Sequence, residues 1–262
     1  MAEAKATLIP EIMIKAMSKE IKDGDVALHG LASPLPIMAI SLAKLTHAPD
    51  AVFLCVAEGL DPDLDKIRLT ISSADPRLSA GAIAFSELGD IFDLCQRKEL
   101  DVMFLGGAQV DKYGNTNLSV IGEYAKPKIR LPGGAATAYM TALMPKTVIW
   151  MARQNKRSFI EKVDFVTGVG YSEGGDSREK AGAWSCTLKI VTNLAVYGFD
   201  EKTKAIKVES LHPGVTADMI RENTGFDIDI PPDVPTTEMP SEEDLRIIAK
   251  LDPDNIRYSE FR

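Results

Sequence analysis

The chain is poor in the residues that build metal and redox centres, with three cysteines and three histidines among 262 residues. Cys55, Cys95 and Cys186 are odd in number and far apart, so neither a disulfide framework nor a zinc site is suggested. No metal is expected, and a reducing compartment fits. Positive charge is also in short supply. Thirty Lys and Arg against 38 Asp and Glu leave a net charge of −8, which argues against nucleic acid or an anionic membrane as the main partner. A single phosphate-bearing ligand is still compatible with that balance, because a helix N-terminus or a few basic residues suffice to hold it. No apolar run approaches the ~18 residues of a membrane span, and the first residues show no basic-then-apolar signal pattern. The expectation is a cytoplasmic protein with no nucleic-acid or membrane partner.

What the chain does have is alternation of short apolar runs with amphipathic stretches. Ile12, Met13, Met17 and Ile21 lie at helical spacing within 10–22, and the next apolar run, Val26 to Gly30, has strand length. A second helix is predicted from Ser33-Pro34 to Thr46, entered at a proline, and a second buried strand from Ala51 to Ala57. Strand, loop, helix, strand is the signature of a parallel sheet. Further strands are predicted near Val102–Leu105, 145–151, 163–167, 185–191 and 194–199, with a flexible loop over Ser172–Asp176. Helices are predicted near 86–99, 216–222 and 243–251. The fold class is therefore α/β, an open and mostly parallel sheet flanked by helices. Without a repeat, a low-complexity tract or a break in composition, a single domain over residues 1–262 is expected. Its proline- and acid-rich residues 228–262 read as a tail wrapped on the surface.

The densest stretch runs from Asp101 to Asn117 and resumes at Arg130–Ala136. Val102–Leu105 breaks on Gly106-Gly107, Asp111–Gly114 reads as a tight turn with Gly114 at the position needing positive φ, and Asn115 and Asn117 supply amides. A second pair, Gly133-Gly134, follows Pro132. Glycine-bent loops carrying amides can hold a ligand or an oxyanion; ordinary strand-to-helix turns would look the same. Lys126, Lys128 and Arg130 lie between the loops, where they meet either a phosphate or carboxylate, or only solvent.

Glu58 is the sharpest catalytic candidate. It directly follows the apolar run at 51–57 and precedes Gly59, and ligands of open parallel sheets bind outside the carboxyl ends of strands. A carboxylate there can attack an activated acyl group to give an acyl anhydride, or it can merely cap a turn. Cys55 reads as buried apolar filler, and His29 as a packed, hydrogen-bonded histidine that could also line a site. Turn roles suit His47 and His212. No Gly-x-Ser-x-Gly elbow or serine triad order is present, and Gly168-Val-Gly170 lacks the following helix of a dinucleotide fingerprint.

Gly106-Gly-Ala-Gln-Val-Asp-Lys-Tyr-Gly-Asn-Thr-Asn117, then Pro127-Lys-Ile-Arg130 and Gly133-Gly-Ala135, resemble the β subunit of the family I coenzyme A transferases, in particular the glutaconate CoA-transferase type. The likeness continues through Lys156-Arg157, 162–167, 199–204, His212-Pro-Gly214 and 222–227. It implies an α/β subunit that pairs with a homologous α subunit in a hetero-oligomer. It also implies a ping-pong transfer of CoA between an acyl-CoA and a carboxylic, in particular dicarboxylic, acid through a glutamyl-CoA thioester. No cofactor is bound; the CoA thioester is itself substrate. On this resemblance Glu58 is the nucleophile, while the glycine loops and neighbouring amides (Gly106, Gly107, Gln109, Asn115, Gly133 and Gly134) orient the acyl group and stabilise its oxyanion; Cys55 and His29 are further candidates to contact the acyl-CoA. The sequence departs from the family at this point. Counted without gaps from Asp50, Val56 stands where the glutamate belongs and Glu58 falls two residues late, a shift that keeps the strand face. The Gly-Gly-Ala loop also lacks the usual Gly-Ser ahead of it. Relatives without the glutamate decarboxylate an acyl-CoA, with a cysteine on this strand, or hydrolyse a carbon–carbon bond in a CoA-linked ring. Ala32–Leu35 and Thr46–Asp50 are similar to stretches of the decarboxylase group. Decarboxylase or ring-opening hydrolase is thus the alternative, and a subunit that only completes the fold of an active partner is the third reading.

Overall fold

The computed structural model describes residues 8–261. The chain divides into two compact units, Met1–Leu105 with Thr237–Arg262, and Gly106–Thr236.

The first unit opens with α1, Ile9–Ser18, which has Pro10 in its first turn, where the missing N–H costs nothing, and buries Ile12, Met13, Ile14 and Met17. β1, Val26–His29, leads to α2, Pro34–Leu45, again entered at a proline. Leu35, Ile37, Met38, Ile40 and Leu42 are all buried, so this helix is apolar around most of its circumference and lies inside the unit. β2, Val52–Leu54, is followed by two short strands, β3, Gly59–Leu60, and β4, Ala84–Phe85. α3, Leu88–Gln96, starts with a reciprocal cap between Glu87 and Asp90, and β5 spans Val102–Gly106. β1 lies between β5 and β2 and pairs with both in parallel, whereas β3 and β4 add as antiparallel strands beyond β2.

In the second unit, β6, Gln109–Asp111, and β7, Thr116–Asn117, form a hairpin; β8, Val120–Ile121, and β9, Ile129–Arg130, form another. Then come α4, Thr137–Leu143, β10, Lys146–Met151, β11, Phe159–Ile160, and the single turn α5, Ser177–Lys180. β12, Thr187–Thr192, is parallel to β10; β13, Ala195–Phe199, and β14, Ile206–Leu211, continue antiparallel, and α6 covers Ala217–Glu222. β11 pairs in parallel with β6. The expected open α/β architecture is the one observed: β1 is parallel to β2 and β5, and β10 to β12, with antiparallel strands added beyond β2 and beyond β12.

α7, Glu242–Leu251, returns to the first unit, capped reciprocally by Ser241 and Asp244. Lys15 of α1 reaches Asp244 at 3.0 Å. Beyond α7, Arg257 donates to Glu11 at 2.6 Å and to Asp252 at 2.9 Å, and all three side chains are buried. Buried charges are tolerated only in such hydrogen-bonded sets.

Two expected strands are corrected. The run at 51–57 is strand only over Val52–Leu54, because the Cys55 N–H turns to the Gly59 carbonyl at 2.9 Å and starts a hairpin. Residues 163–167 take no strand. There the side chains make the bonds: Gln109 Nε2 donates to Asp164 Oδ2 at 3.1 Å, and the Leu118 N–H to Thr167 Oγ1 at 2.9 Å. The loop expected to be flexible at 172–176 is held by Asn115 Nδ2, which donates to the Ser172 carbonyl, and by the Gly175 N–H, which donates to Thr203.

Candidate functional site

In the first unit, the carboxyl ends of β1 and β2 bring His29, Cys55 and Glu58 together. The Glu58 N–H closes a turn on the Cys55 carbonyl at 2.9 Å, and Glu58 itself stands at φ +67°. That left-handed backbone is unfavourable for a residue with a Cβ, and such strain gathers at functional positions. The next residue must be glycine for a different reason. A Cβ on Gly59 would sit 2.6 Å from Ser79 Cβ and Oγ, and the Ser79 hydroxyl is needed where it is, donating to the Ala57 carbonyl at 2.6 Å. Ser79 thus braces the turn that presents Glu58. Its place in a short 3-10 turn after Asp75-Pro76 gave no sequence signal beyond the turn itself. Glu58 is exposed, and among the described residues its carboxylate has no hydrogen-bond or ion-pair partner.

His29 and Cys55 are the opposite case. His29 is 1 % exposed and Cys55 fully buried. His29 Nδ1 lies 2.9 Å from the Gly30 carbonyl, which can only accept, so Nδ1 carries the proton and Nε2 is the acceptor. The Val56 N–H donates to Nε2 at 3.3 Å, and Cys55 Sγ lies 3.5 Å from it. Burial lowers the imidazole from 6.5 to about 4, against the opposing pull of the Gly30 carbonyl. Burial likewise raises the Cys55 thiol, partly offset by the Ala57 backbone and the Ser79 hydroxyl. A neutral imidazole beside a protonated thiol is not an activated thiolate pair. The pair's visible work is to hold the hairpin: His29 accepts the Val56 N–H that would otherwise be orphaned.

The amides and glycines of the other predicted loops all belong to the second unit. Asp111–Gly114 is the expected tight turn, with the Gly114 N–H on the Asp111 carbonyl and Gly114 at φ +75°. Asn115 spends its amide within the loop: Nδ2 donates to both Asp111 oxygens and to Ser172, and Oδ1 accepts the Gly170 N–H. Gln109 Oε1 accepts from Asn117 Nδ2 at 2.6 Å and from the Asp164 N–H. These side chains lace the loops rather than reach outward. Gly106-Gly107 leaves β5, with the Trp150 indole beside Gly106. In the Gly133–Ala136 loop the Gly133 N–H donates to Leu118 at 2.8 Å, while the Gly134 and Ala135 N–H groups have no acceptor among the described residues. Gly134 packs so closely on Thr167 that a Cβ would stand 2.4 Å from its methyl group. Among the described residues there is no cluster of His, Cys, Asp and Glu that could hold a metal, and no helix is long and apolar enough to cross a membrane.

Residues 10–223 match the family model of coenzyme A transferase. The B subunit of the 3-oxoadipate CoA-transferase of Pseudomonas knackmussii is 37 % identical over 246 residues, 92 % of each chain. The B subunit of the glutaconate CoA-transferase of Acidaminococcus fermentans is 32 % identical over 252 residues, 93 % of this chain and 92 % of that one. Among solved structures, that of the decarboxylase AibA/AibB superposes with a TM-score of 0.85 at 28 % identity, covering 96 % of this chain and 97 % of that chain. It has also been solved with one cysteine replaced by Asn, Ala, Ser or Val. The chain is therefore an enzyme subunit of the coenzyme A transferase family, whose substrates are CoA thioesters.

Proposed function

We propose that this chain, paired with a homologous α subunit in the cytoplasm, moves CoA from an acyl-CoA to a dicarboxylic acid with Glu58 as covalent nucleophile. The observation that carries the reading is the Glu58 carboxylate itself, exposed and partnerless at the carboxyl end of β2 on a backbone strained to present it. Attack of one carboxylate oxygen on the thioester carbonyl expels CoA thiolate and leaves an acyl-glutamyl anhydride. The thiolate then attacks the glutamyl carbonyl, releasing the first acid and forming glutamyl-CoA. An incoming carboxylate reverses these two steps and leaves with the CoA. Within the second unit, the amides of Gln109 and Asn115 keep the glycine loops in shape. The dicarboxylate class follows the names of the two transferase relatives, whose acids, 3-oxoadipate and glutaconate, carry two carboxylates.

A second reading has its own observation. The likeness to the decarboxylase AibA/AibB, solved also with one cysteine replaced, supports decarboxylation with no covalent glutamyl intermediate, with Cys55 as the cysteine of the turn that carries Glu58. Borohydride trapping separates the two. The complex is incubated with acyl-CoA, reduced, digested and analysed by mass spectrometry. Reduction of a glutamyl-CoA thioester changes the mass of the Glu58 peptide, which is the expected result. Carbon dioxide release with an unmodified Glu58 peptide would establish the second reading instead.

A further inference from the structure

The hairpin between the two glycine loops carries a surface that the chemistry above leaves unused. β8 and β9 pair with Val120 opposite Arg130 and Ile121 opposite Ile129, and 123–128 form a largely exposed tip. Tyr124 is 59 % exposed. Its ring stacks on Phe165, centroids 5.2 Å apart and planes 22° apart. The Arg130 guanidinium lies 5.0 Å from the centroid of the same ring, and its Nη2 donates to the Tyr124 carbonyl at 3.4 Å. Lys126 and Lys128 stand exposed on the tip, and neither ammonium has an acidic partner among the described residues. Glu123 at the tip and Asp164 at the base are the carboxylates there. Three cations against two carboxylates reverse, locally, the sign of a chain of net charge −8.

The surface is also preformed. Asp164 Oδ2 accepts from the Gly122 N–H at 2.9 Å and from Gln109 Nε2 at 3.1 Å, which fixes the base of the hairpin to the segment that carries Phe165. The far side of the hairpin runs directly into the second glycine loop: the Leu131 N–H donates to Ser119 and the Gly133 N–H to Leu118.

Exposed stacked rings edged by cations recognise a flat base bearing phosphates, because the rings take the base face and the cations take the phosphate oxygens. We infer that this hairpin binds the nucleotide end of the CoA thioester, with adenine on the Tyr124–Phe165 pair and the phosphates toward Arg130, Lys126 and Lys128. The inference rests on the CoA-transfer reading for the identity of its ligand, a molecule whose thioester and nucleotide lie at opposite ends of a long flexible arm.

The test applies two probes to the complex with the α subunit: adenosine 3′,5′-bisphosphate, and a pair of substrates, acyl-CoA and the same acyl-pantetheine without a nucleotide. Loss of one stacking ring in Tyr124→Ala should weaken bisphosphate binding by calorimetry about tenfold. It should raise KM for acyl-CoA by a similar factor, with kcat little changed, and the handicap should vanish with acyl-pantetheine. The double variant Lys126→Ala/Lys128→Ala should weaken the bisphosphate while leaving adenosine binding as it was. Wild-type bisphosphate affinity in Tyr124→Ala overturns the inference. So does loss of the α subunit from that variant on size-exclusion chromatography, which would make the hairpin a contact between subunits. A complex that binds the bisphosphate through Tyr124 but turns over no acyl-CoA would overturn the transferase reading and leave the nucleotide site standing.

Discussion

Two carboxylates in this chain sit on tight turns that follow a strand, and they are placed for opposite work. Asp111 ends β6 and is buried, its Oδ1 accepting from the Tyr113 N–H at 3.0 Å and from the Asn115 N–H and Nδ2 at 3.1 Å each. Glu58 follows β2, is exposed, and has no partner among the described residues. The backbones differ in the same sense. The turn after Asp111 places Gly114 at its left-handed position, where no strain arises, whereas the turn after Cys55 places Glu58 itself there. A carboxylate whose oxygens are spoken for stabilises a turn; one whose oxygens are free can react. Residue type and turn geometry are shared, so the difference lies in what each group is bonded to.

The largest effect that would break this comparison is on turnover. Glu58→Gln keeps size and removes the nucleophile, so CoA transfer should fall by roughly 10⁴-fold or more; transfer within tenfold of wild type would place Glu58 with Asp111 as a structural group. Acid stability comes next. His29 and His212 are buried and their imidazoles are lowered to about 4 by burial, each partly offset by a backbone carbonyl. The unfolded chain binds those protons at about 6.5 and the folded one only near 4, so their contribution is complete above 6.5 and is lost as pH falls toward 4. Each amounts to about 3 kcal/mol. Urea unfolding of wild type and His29→Gln across this range should show the variant losing less stability on acidification. Parallel curves would mean that His29 is not buried neutral.

Asp111→Ala should be costly for stability, about 2–3 kcal/mol by chemical denaturation, because it strands buried N–H groups of Tyr113 and Asn115. The same replacement at Glu58 should leave stability within ~0.5 kcal/mol. Smallest and most pointed is Glu58→Gly. It relieves the left-handed backbone and should stabilise the chain by up to about 1 kcal/mol while abolishing transfer. A loss of stability would show that the glutamate side chain holds its turn after all.

Much of the frame was legible. The prolines at 10 and 34 mark the entries of α1 and α2, the apolar run at 102–105 is β5, and the Asp111–Gly114 turn lies where its residues require it. The motif at 106–117 carried the family. The end of β2 was not legible, because Cys55-Val-Ala has the apolar character of a strand and the bond that turns it away goes to Gly59. The expected strand at 163–167 failed for a related reason, since the side chains of Asp164 and Thr167 take up backbone and amide donors that a strand ladder would have used. Asn115 and Gln109 were legible as amides, but not as amides consumed within their own loops.

Local chemistry, then, was written in the chain: where helices begin, where glycine must bend the backbone, and which family the loops belong to. These depend on neighbours a few residues apart. Tertiary structure alone decided which polar groups are free. Ser79 bracing Ala57 from 22 residues away and His29 taking the Val56 N–H from 27 away leave Glu58 as the exposed carboxylate of its turn, and no sequence spacing encodes a bond that long-range packing makes or withholds.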